Sequence, residues 1–255
     1  MLVTIRFVRE IRVARRLVAD AHKVAVFTGA GVSTGSGIGD YRGENGLWRL
    51  TPRAEADSHI DRYRASESIR VDGWVSAIAR EGLFEPNEAH DAIGRFSTSD
   101  KFRGLVTQNV DGLHWVRSER SQLFVELHGS WTRARCIDCG IRLELGLVLD
   151  RVRAGEADPS CEACGGILDR DIVRFGERLD PNMIERARGI LDGSDLVIVA
   201  GTTLSVRPAS NLVKKAYYHG ARLVVINQGV GELDSRALVV RARTEQALEE
   251  ILAGA

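Results

Sequence analysis

The stretch Val24–Gly43, VAVFTGAGVSTGSGIGDYRG, decides how the chain is read: an apolar run of strand type breaks into five glycines within eleven residues and ends in Asp-Tyr-Arg-Gly. A strand that runs into glycines and then a helix presents bare N–H groups and a helix start to an anion, and a pyrophosphate suits that geometry. The dinucleotide fingerprint Gly-x-Gly-x-x-Gly is not met, because Gly29, Gly31 and Gly35 leave one residue too many before the third glycine. Nor does an acidic residue about twenty positions farther on close a second strand to grip a ribose, so a Rossmann dehydrogenase is disfavoured.

Three further short aliphatic runs, Gly104–Thr107, Leu196–Ala200 and Leu223–Asn227, also end in polar or glycine residues. Separated by helical patterns, they predict an α/β fold: a Rossmann-like parallel sheet buried on both faces, with helices on either side. Such sheets bind ligands at the carboxyl ends of their strands, so the loops TGAG, TQNVDG, AGTTLS and INQG are expected to converge on one crevice. Upstream, Phe7, Val8, Ile11, Ala14, Leu17 and Val18 recur at three- and four-residue steps, the pattern of a first helix with one buried face. Two segments interrupt the alternation: 45–95, helical and polar, and 133–170, which holds all four cysteines. Together they are expected to build a smaller domain beside a Rossmann-like ligand-binding domain made of 1–44, 96–132 and 171–255.

Thirty-five basic residues balance thirty-five acidic ones, so no global field draws the chain to nucleic acid or a membrane, and neither is an expected partner. That balance leaves room for a local basic patch. No apolar run reaches the length of a membrane span. The arginine-rich N-terminus carries Glu10 and Asp20, which count against a transit peptide, and a cytoplasmic location is expected.

Cys136-Ile-Asp-Cys139 and Cys161-Glu-Ala-Cys164 stand twenty-one residues apart. Two such turns supply four thiolates for a tetrahedral Zn²⁺, closed to water and therefore structural. Disulfides or redox pairs are the alternative. Gln108, Asn109, Asp111 and His114 directly follow a strand, and His128 and Ser130 precede the first cysteine pair. Amide and carboxylate groups at a strand end suit a carboxamide or ribose hydroxyls, and a histidine there suits proton removal near neutral pH. His90 and His114 read as structural.

Taken in order, GAGVSTGSGIGDYRG, PNEAH, TQNVDGLH, ELHGS, the four-cysteine module, DIVRFGE, GTTLSVRPA and IN resemble the sirtuins, the NAD⁺-dependent protein lysine deacylases, from about Ala21 to about Arg241. The resemblance is to a bacterial-type single catalytic core. It implies that Gly29, Ala30, Gly31 and neighbouring amides hold the pyrophosphate, with Ile38, Asp40 and Tyr41 in the same loop and Arg42 orienting the diphosphate or ribose. Asn109 and Asp111 would receive the nicotinamide carboxamide and position its ribose, with Gln108 and Ile38 beside them. His128 would be the general base on a ribose hydroxyl, and Asn109 its catalytic companion. Gly201, Thr202, Thr203, Asn227 and Gln228 would contact the adenosine half. Val173, Phe175, Gly176, Glu177, Leu204 and Val206 would flank an acylated lysine in a protein substrate bound as an added strand. In the family scheme NAD⁺ is consumed as co-substrate: the acyl oxygen attacks the ribose at C1′, and nicotinamide, free lysine and O-acyl-ADP-ribose leave. Mono-ADP-ribosyl transfer needs the same NAD⁺ site, and a non-catalytic NAD-sensing module is the reading from a different class.

The sequence also departs from the resemblance. Gly39 stands where proline is common, which removes a fixed φ and predicts a looser loop. Arg170 likewise replaces a proline. Arg174, beside Phe175, reads as a solvated surface arginine, with a preference for acidic residues near the substrate lysine as the alternative. Tyr63 is followed by Arg64, Ala65 and Ser66, not by the Tyr-x-x-Arg pair that receives acidic acyl groups, so no preference for such groups is expected.

Overall fold

The computed structural model describes residues 2–40, 46, 50–116 and 121–254. Its strands are β1 (Val24–Thr28), β2 (Phe102–Thr107), β3 (Phe124–Glu126), β4 (Gly129–Cys136), β5 (Arg142–Glu144), β6 (Leu168–Ile172), β7 (Leu196–Ala200), β8 (Arg222–Ile226) and β9 (Leu238–Val240). Six of them form one sheet in the order β3-β2-β1-β7-β8-β9, parallel throughout. The chain builds outward from β1 in one direction, then returns to the other side of β1 with β7, so the order reverses between these two strands. That switch point is where an open α/β sheet leaves a ligand crevice. The four runs read from sequence all fall in this sheet. The edge strands β3 and β9, three residues each, are too short to carry a periodic signal.

Both faces of β1 are covered, which is why its residues are apolar without alternation. Val24 and Val26 pack against α1 (Leu2–Asp20) and against two helices from opposite ends of the sequence, represented by Ile93 and Leu248. Ala25 and Phe27 face Ala187, Leu191 and Val213 on the other side. In α1, Ile11, Ala14 and Val18 are buried as the pattern predicts, but Val8 is 49% exposed. A stripe running through residues 11, 14 and 18 turns position 8 to its flank.

The helical segment contains α2 (Pro52–Asp57), α3 (Ile60–Ala65), α4 (Glu67–Ala79) and α5 (Glu88–Phe96). Although α5 lies in the stretch read as insert, Ala89, Ala92, Ile93 and Phe96 belong to the core of the large sheet. Its start is a capping box in which the Asn87 side chain accepts from Ala89 N and the Asn87 N–H donates to His90 Nδ1. After α6 (Leu113–Val116), the cysteine segment folds as a small antiparallel sheet, β5-β4-β6, with α7 (Leu145–Arg153) and α4 over one face. The chain closes with α8 (Pro181–Leu191), α9 (Ala209–Tyr218) and α10 (Thr244–Leu252) around the large sheet. No helix among the described residues is long and apolar enough to cross a membrane.

Arg174 corrects the sequence reading. Its side chain is 8% exposed and forks onto Asp169, itself 1% exposed, at 2.5 and 2.9 Å, with its guanidinium 3.7 Å from the centre of the Tyr63 ring. Tyr63 is buried and donates its hydroxyl to Leu168 O. Arg174 therefore does not sit in solvent; it ties the loop after β6 to the helical segment. Removing one partner of a buried ion pair strands the other, so Arg174→Ala is expected to cost about 3–5 kcal/mol in unfolding free energy. Urea titration checks this, and a loss under about 1 kcal/mol would contradict it.

Candidate active site

The loop after β1 leans on the loop after β7. Gly29 N–H donates to Ala200 O at 3.0 Å and Gly31 N–H to Gly201 O at 2.9 Å. A Cβ on Gly31 would lie 2.8 Å from Gly201 Cα, and one on Gly201 would lie 2.4 Å from Val32 N, at a φ of +66°. These glycines let two backbones touch, and the turn Ala30–Val32 is set down between the strand ends. Gly201→Ala is expected to push the loops apart and raise KM for NAD⁺ at least about tenfold, a cost of about 1.4 kcal/mol; steady-state kinetics with varied NAD⁺ measure it. Gly39, by contrast, has no neighbour within 4 Å of its Cβ position among the described residues and a φ outside the left-handed region.

Polar groups from three strand ends meet at this turn. Asn109, 7% exposed, donates from Nδ2 to Gly29 O (3.2 Å) and to Ser33 Oγ (3.1 Å), and Ser33 donates to Asp111 Oδ2 at 2.6 Å. The other Asp111 oxygen accepts Leu113 N–H, while Trp131 Nε1 donates to the Asp111 carbonyl. Gln108 Nε2 reaches Thr202 Oγ1 at 3.0 Å, tying the loop after β2 to the loop after β7. Beneath them, buried His114 contacts Thr28 Oγ1 and packs against His90, whose ring lies 4.7 Å away. Burial lowers the pKa of both, keeping the pair neutral, and the structural reading of these histidines agrees with their position.

His128 lies at the mouth of this cluster. Its Nδ1 is 2.9 Å from Gln108 O, and because a carbonyl only accepts, Nδ1 carries the proton and Nε2 the lone pair. Nε2 makes no hydrogen bond among the described residues. Burial pushes the imidazole pKa down, and the Gln108 hydrogen bond opposes that only in part. The backbone carbonyl of His128 accepts Val173 N–H at 2.8 Å, which brings the Val173–Glu177 loop to the same mouth.

In that loop Phe175 is 38% exposed and bridges to the helical segment through Ile60 N–H and Ser58 O. Gly176 has a φ of +88°, and a Cβ there would meet the His59 ring at 2.5 Å. Glu177 is held by Arg135 at 2.7 Å and accepts Arg174 N–H. Leu204 has a φ of +58° and its side chain packs in the core, which leaves only backbone to meet a peptide; Val206 is half-buried. On the far side Asn227 Nδ2 donates to Gly229 O, Arg241 donates to Asn227 O, Gln228 is exposed, and Thr203 pairs with Ser205. Ile38 and Asp40 are half-buried at the end of the described loop; Tyr41 and Arg42 lie outside the described residues. Ser33, Asn87, Trp131, Arg241 and Thr244 were not singled out from sequence. Asn87 donates to Val32 O, and Thr244 to Gly31 O. Only the Asn87 capping signal was visible locally.

The cysteines form a separate centre. Their Sγ atoms all lie within 4.8 Å of one another, with Cys136–Cys164 at 3.6 Å and Cys139–Cys161 at 3.8 Å. A tetrahedron with Zn–S bonds of about 2.3 Å has edges of about 3.8 Å, whereas a disulfide would need about 2.05 Å. The four thiols are free and fit a structural zinc.

Comparison with known proteins shows the family of the chain. A family model described as the Sir2 family matches residues 29–208. The NAD-dependent protein deacetylase 2 of Streptomyces coelicolor is 42% identical over 91% of this chain and 97% of its own length. A Sir2 homologue solved in complex with NAD superposes with a TM-score of 0.81 at 30% identity, covering 95% of this chain and 92% of the other. A Sir2 enzyme solved with a deacetylated p53 peptide and 3′-O-acetyl ADP ribose superposes with a TM-score of 0.83 at 26% identity over 95% and 97% of the two chains. With the family model matching from the glycine loop to the end of the loop after β7 and relatives of this identity covered over nearly their whole length, the chain belongs to the Sir2 family.

Proposed function

We propose that this protein is an NAD-dependent protein lysine deacylase of the deacetylase type, and that His128 is its general base. The observation that carries the reading is the tautomer of His128 set by Gln108 O, which leaves Nε2 unprotonated and without a hydrogen bond among the described residues. NAD⁺, when bound, would supply the activated ribose carbon, with nicotinamide as leaving group. The chain's own residues do the rest. The amides around Ala30 and Gly31 cradle the pyrophosphate. Gly201, Thr202, Thr203, Asn227 and Gln228 line the adenosine half. Asn109 and Asp111, already oriented through Ser33, receive the carboxamide and ribose without reorganising, which is where preorganised dipoles lower a barrier. His128 Nε2 takes a proton from a ribose hydroxyl. Val173, Phe175 and Gly176 offer backbone to an extended peptide carrying the acylated lysine, while Glu177 keeps that loop on β4. Four free thiols reserved for a metal suit a reducing compartment, and we place the protein in the cytoplasm.

The test is mass spectrometry of the purified protein with NAD⁺ and lysine peptides carrying acetyl, propionyl, myristoyl, succinyl and lipoyl groups. Formation of nicotinamide together with O-acyl-ADP-ribose is the expected result. An ADP-ribose mass gained by protein, without deacylation, would replace the reading by ADP-ribosyl transfer; binding of NAD⁺ without turnover would leave a sensing module.

A further inference from the structure

At the opposite end of the large sheet from the glycine loop, where β8 and β9 begin, lies an open cavity of about 840 Å³ lined in part by Leu17, Tyr217, Tyr218, Arg222, Arg236 and Leu238. Tyr218 is 66% exposed. The Arg236 guanidinium stands over both tyrosine rings, 5.4 Å from the centre of Tyr218 and 5.7 Å from that of Tyr217, and donates to the Tyr218 hydroxyl. Arg222 is exposed and has no ion-pair partner among the described residues. The helix that contributes Leu17 to the cavity, α1, turns Arg9, Arg12, Arg15 and Arg16 to solvent, also without ion pairs among the described residues; only Arg6 is neutralised, by Glu10.

The carboxylates near this end are mostly spent elsewhere. Asp195 accepts the backbone N–H groups of His22 and Lys23, Asp192 faces Lys215 and His219, and Asp234 is paired with Arg241. Asp20, at the end of α1, is exposed and has no ion pair among the described residues. In a chain of zero net charge, Arg222 and Arg236 thus flank a trough with an exposed aromatic ring in it, and of the α1 arginines without ion pairs the helical spacing turns Arg9 and Arg16 nearest to the side of Leu17.

We propose that this trough and the adjoining flank of α1 bind single-stranded nucleic acid, with a base stacked on Tyr218 and phosphates held by Arg222, Arg236, Arg9 and Arg16. Aromatic faces interleaved with cations are what a flexible strand of bases and phosphates fits, because every base has a π-face and every linkage a charge. An acidic peptide would meet the arginines but leave the ring without a partner. Arg9 to Arg16 spans roughly 10 Å along the helix, enough to follow a strand leaving the trough.

Fluorescence anisotropy of a labelled oligo-dT of about fifteen nucleotides with the intact protein, across a KCl series, tests this. The logarithm of the binding constant is expected to fall with log salt at a slope of about −2 to −3, as for three or four phosphates, and Arg222→Ala to make that slope shallower by about 0.7. Tyr218→Ala is expected to weaken binding about 5- to 50-fold at unchanged slope, and Tyr218→Phe to restore it. Unchanged melting temperatures certify the fold of each variant, so the outcome does not depend on whether deacylation is found. No binding at low salt, equal binding by Tyr218→Ala, or competition by poly-glutamate as effective as by unlabelled oligo-dT would overturn the proposal.

Discussion

His128→Ala is expected to lower kcat by about 10²- to 10⁴-fold, the usual worth of a positioned general base, while the protein still binds NAD⁺. The separation of effects follows from the geometry. His128 touches the rest of the site through its Nδ1 on Gln108 O and its backbone carbonyl on Val173 N–H, and only the first is lost in alanine. The loops that hold the cofactor are tied by Gly29, Gly31, Asn109, Ser33 and Gln108, none of which bonds the imidazole side chain except that one carbonyl. The pH profile gives a second readout. Burial depresses the imidazole pKa, so the base is already neutral at pH 7, and protonation on the acid side removes the Nε2 lone pair. Activity is therefore expected to fall as pH drops, with a midpoint below the ordinary histidine value of about 6.5. An alanine variant retaining more than about a tenth of wild-type kcat would be incompatible with a base worth even the low end of that range.

Loss of zinc is expected to be as damaging by another route. Cys161→Ser, or exhaustive chelation, should abolish stoichiometric zinc and unfold the β5-β4-β6 sheet. Structural zinc in small modules is worth roughly 10–16 kcal/mol, comparable to the whole stability of a domain at about 5–15 kcal/mol. The apolar cluster there, Trp74, Val148, Leu149 and Leu168 around Ala134, is small and includes two of the cysteines themselves, so little else holds it. Activity should go with it, because β4 begins one residue after His128 and β6 runs directly into Val173. Metal analysis, hydrogen exchange over 129–172 and deacylation assays measure the three parts. A Cys161→Ser protein that keeps one zinc and its exchange protection would contradict the structural role.

What the sequence carried and what it hid divide along contact distance. The strands of the large sheet were legible because burial on both faces writes continuous aliphatic runs, and the cysteine pairs because each turn is local. The glycine loop was legible as a motif, but its reason was not. Gly31 is fixed by Gly201, and nothing in a window around either residue reports the other. Arg174 was misread because its ring partner, Tyr63, comes from a helix far upstream, and an Arg beside Phe175 just after a strand reads as solvated, although Asp169 stands only five residues before it. Leu204, grouped with the substrate residues, turns its side chain into the core because its backbone adopts a left-handed φ that the residue type gives no hint of. Trp131 lies in a bulge of β4, where pairing slips between Ser130 and Ala134, and alternation could not have aimed it at Asp111.

The strand order also governs how the molecule comes off the ribosome. β1 emerges early and finds β2, yet its other neighbour is β7, with Val24 set against Leu196. Until that late segment is made, one edge of β1 stands open, a row of unpaired amides and carbonyls flanked by aliphatic side chains. Gly201 has not yet arrived either, so an incomplete chain has no crevice and no nucleotide to steady it. Stalled or truncated products of this protein are therefore natural clients for holding chaperones and prone to edge-to-edge aggregation, whereas the finished chain closes its most exposed seam and its catalytic crevice in one and the same step.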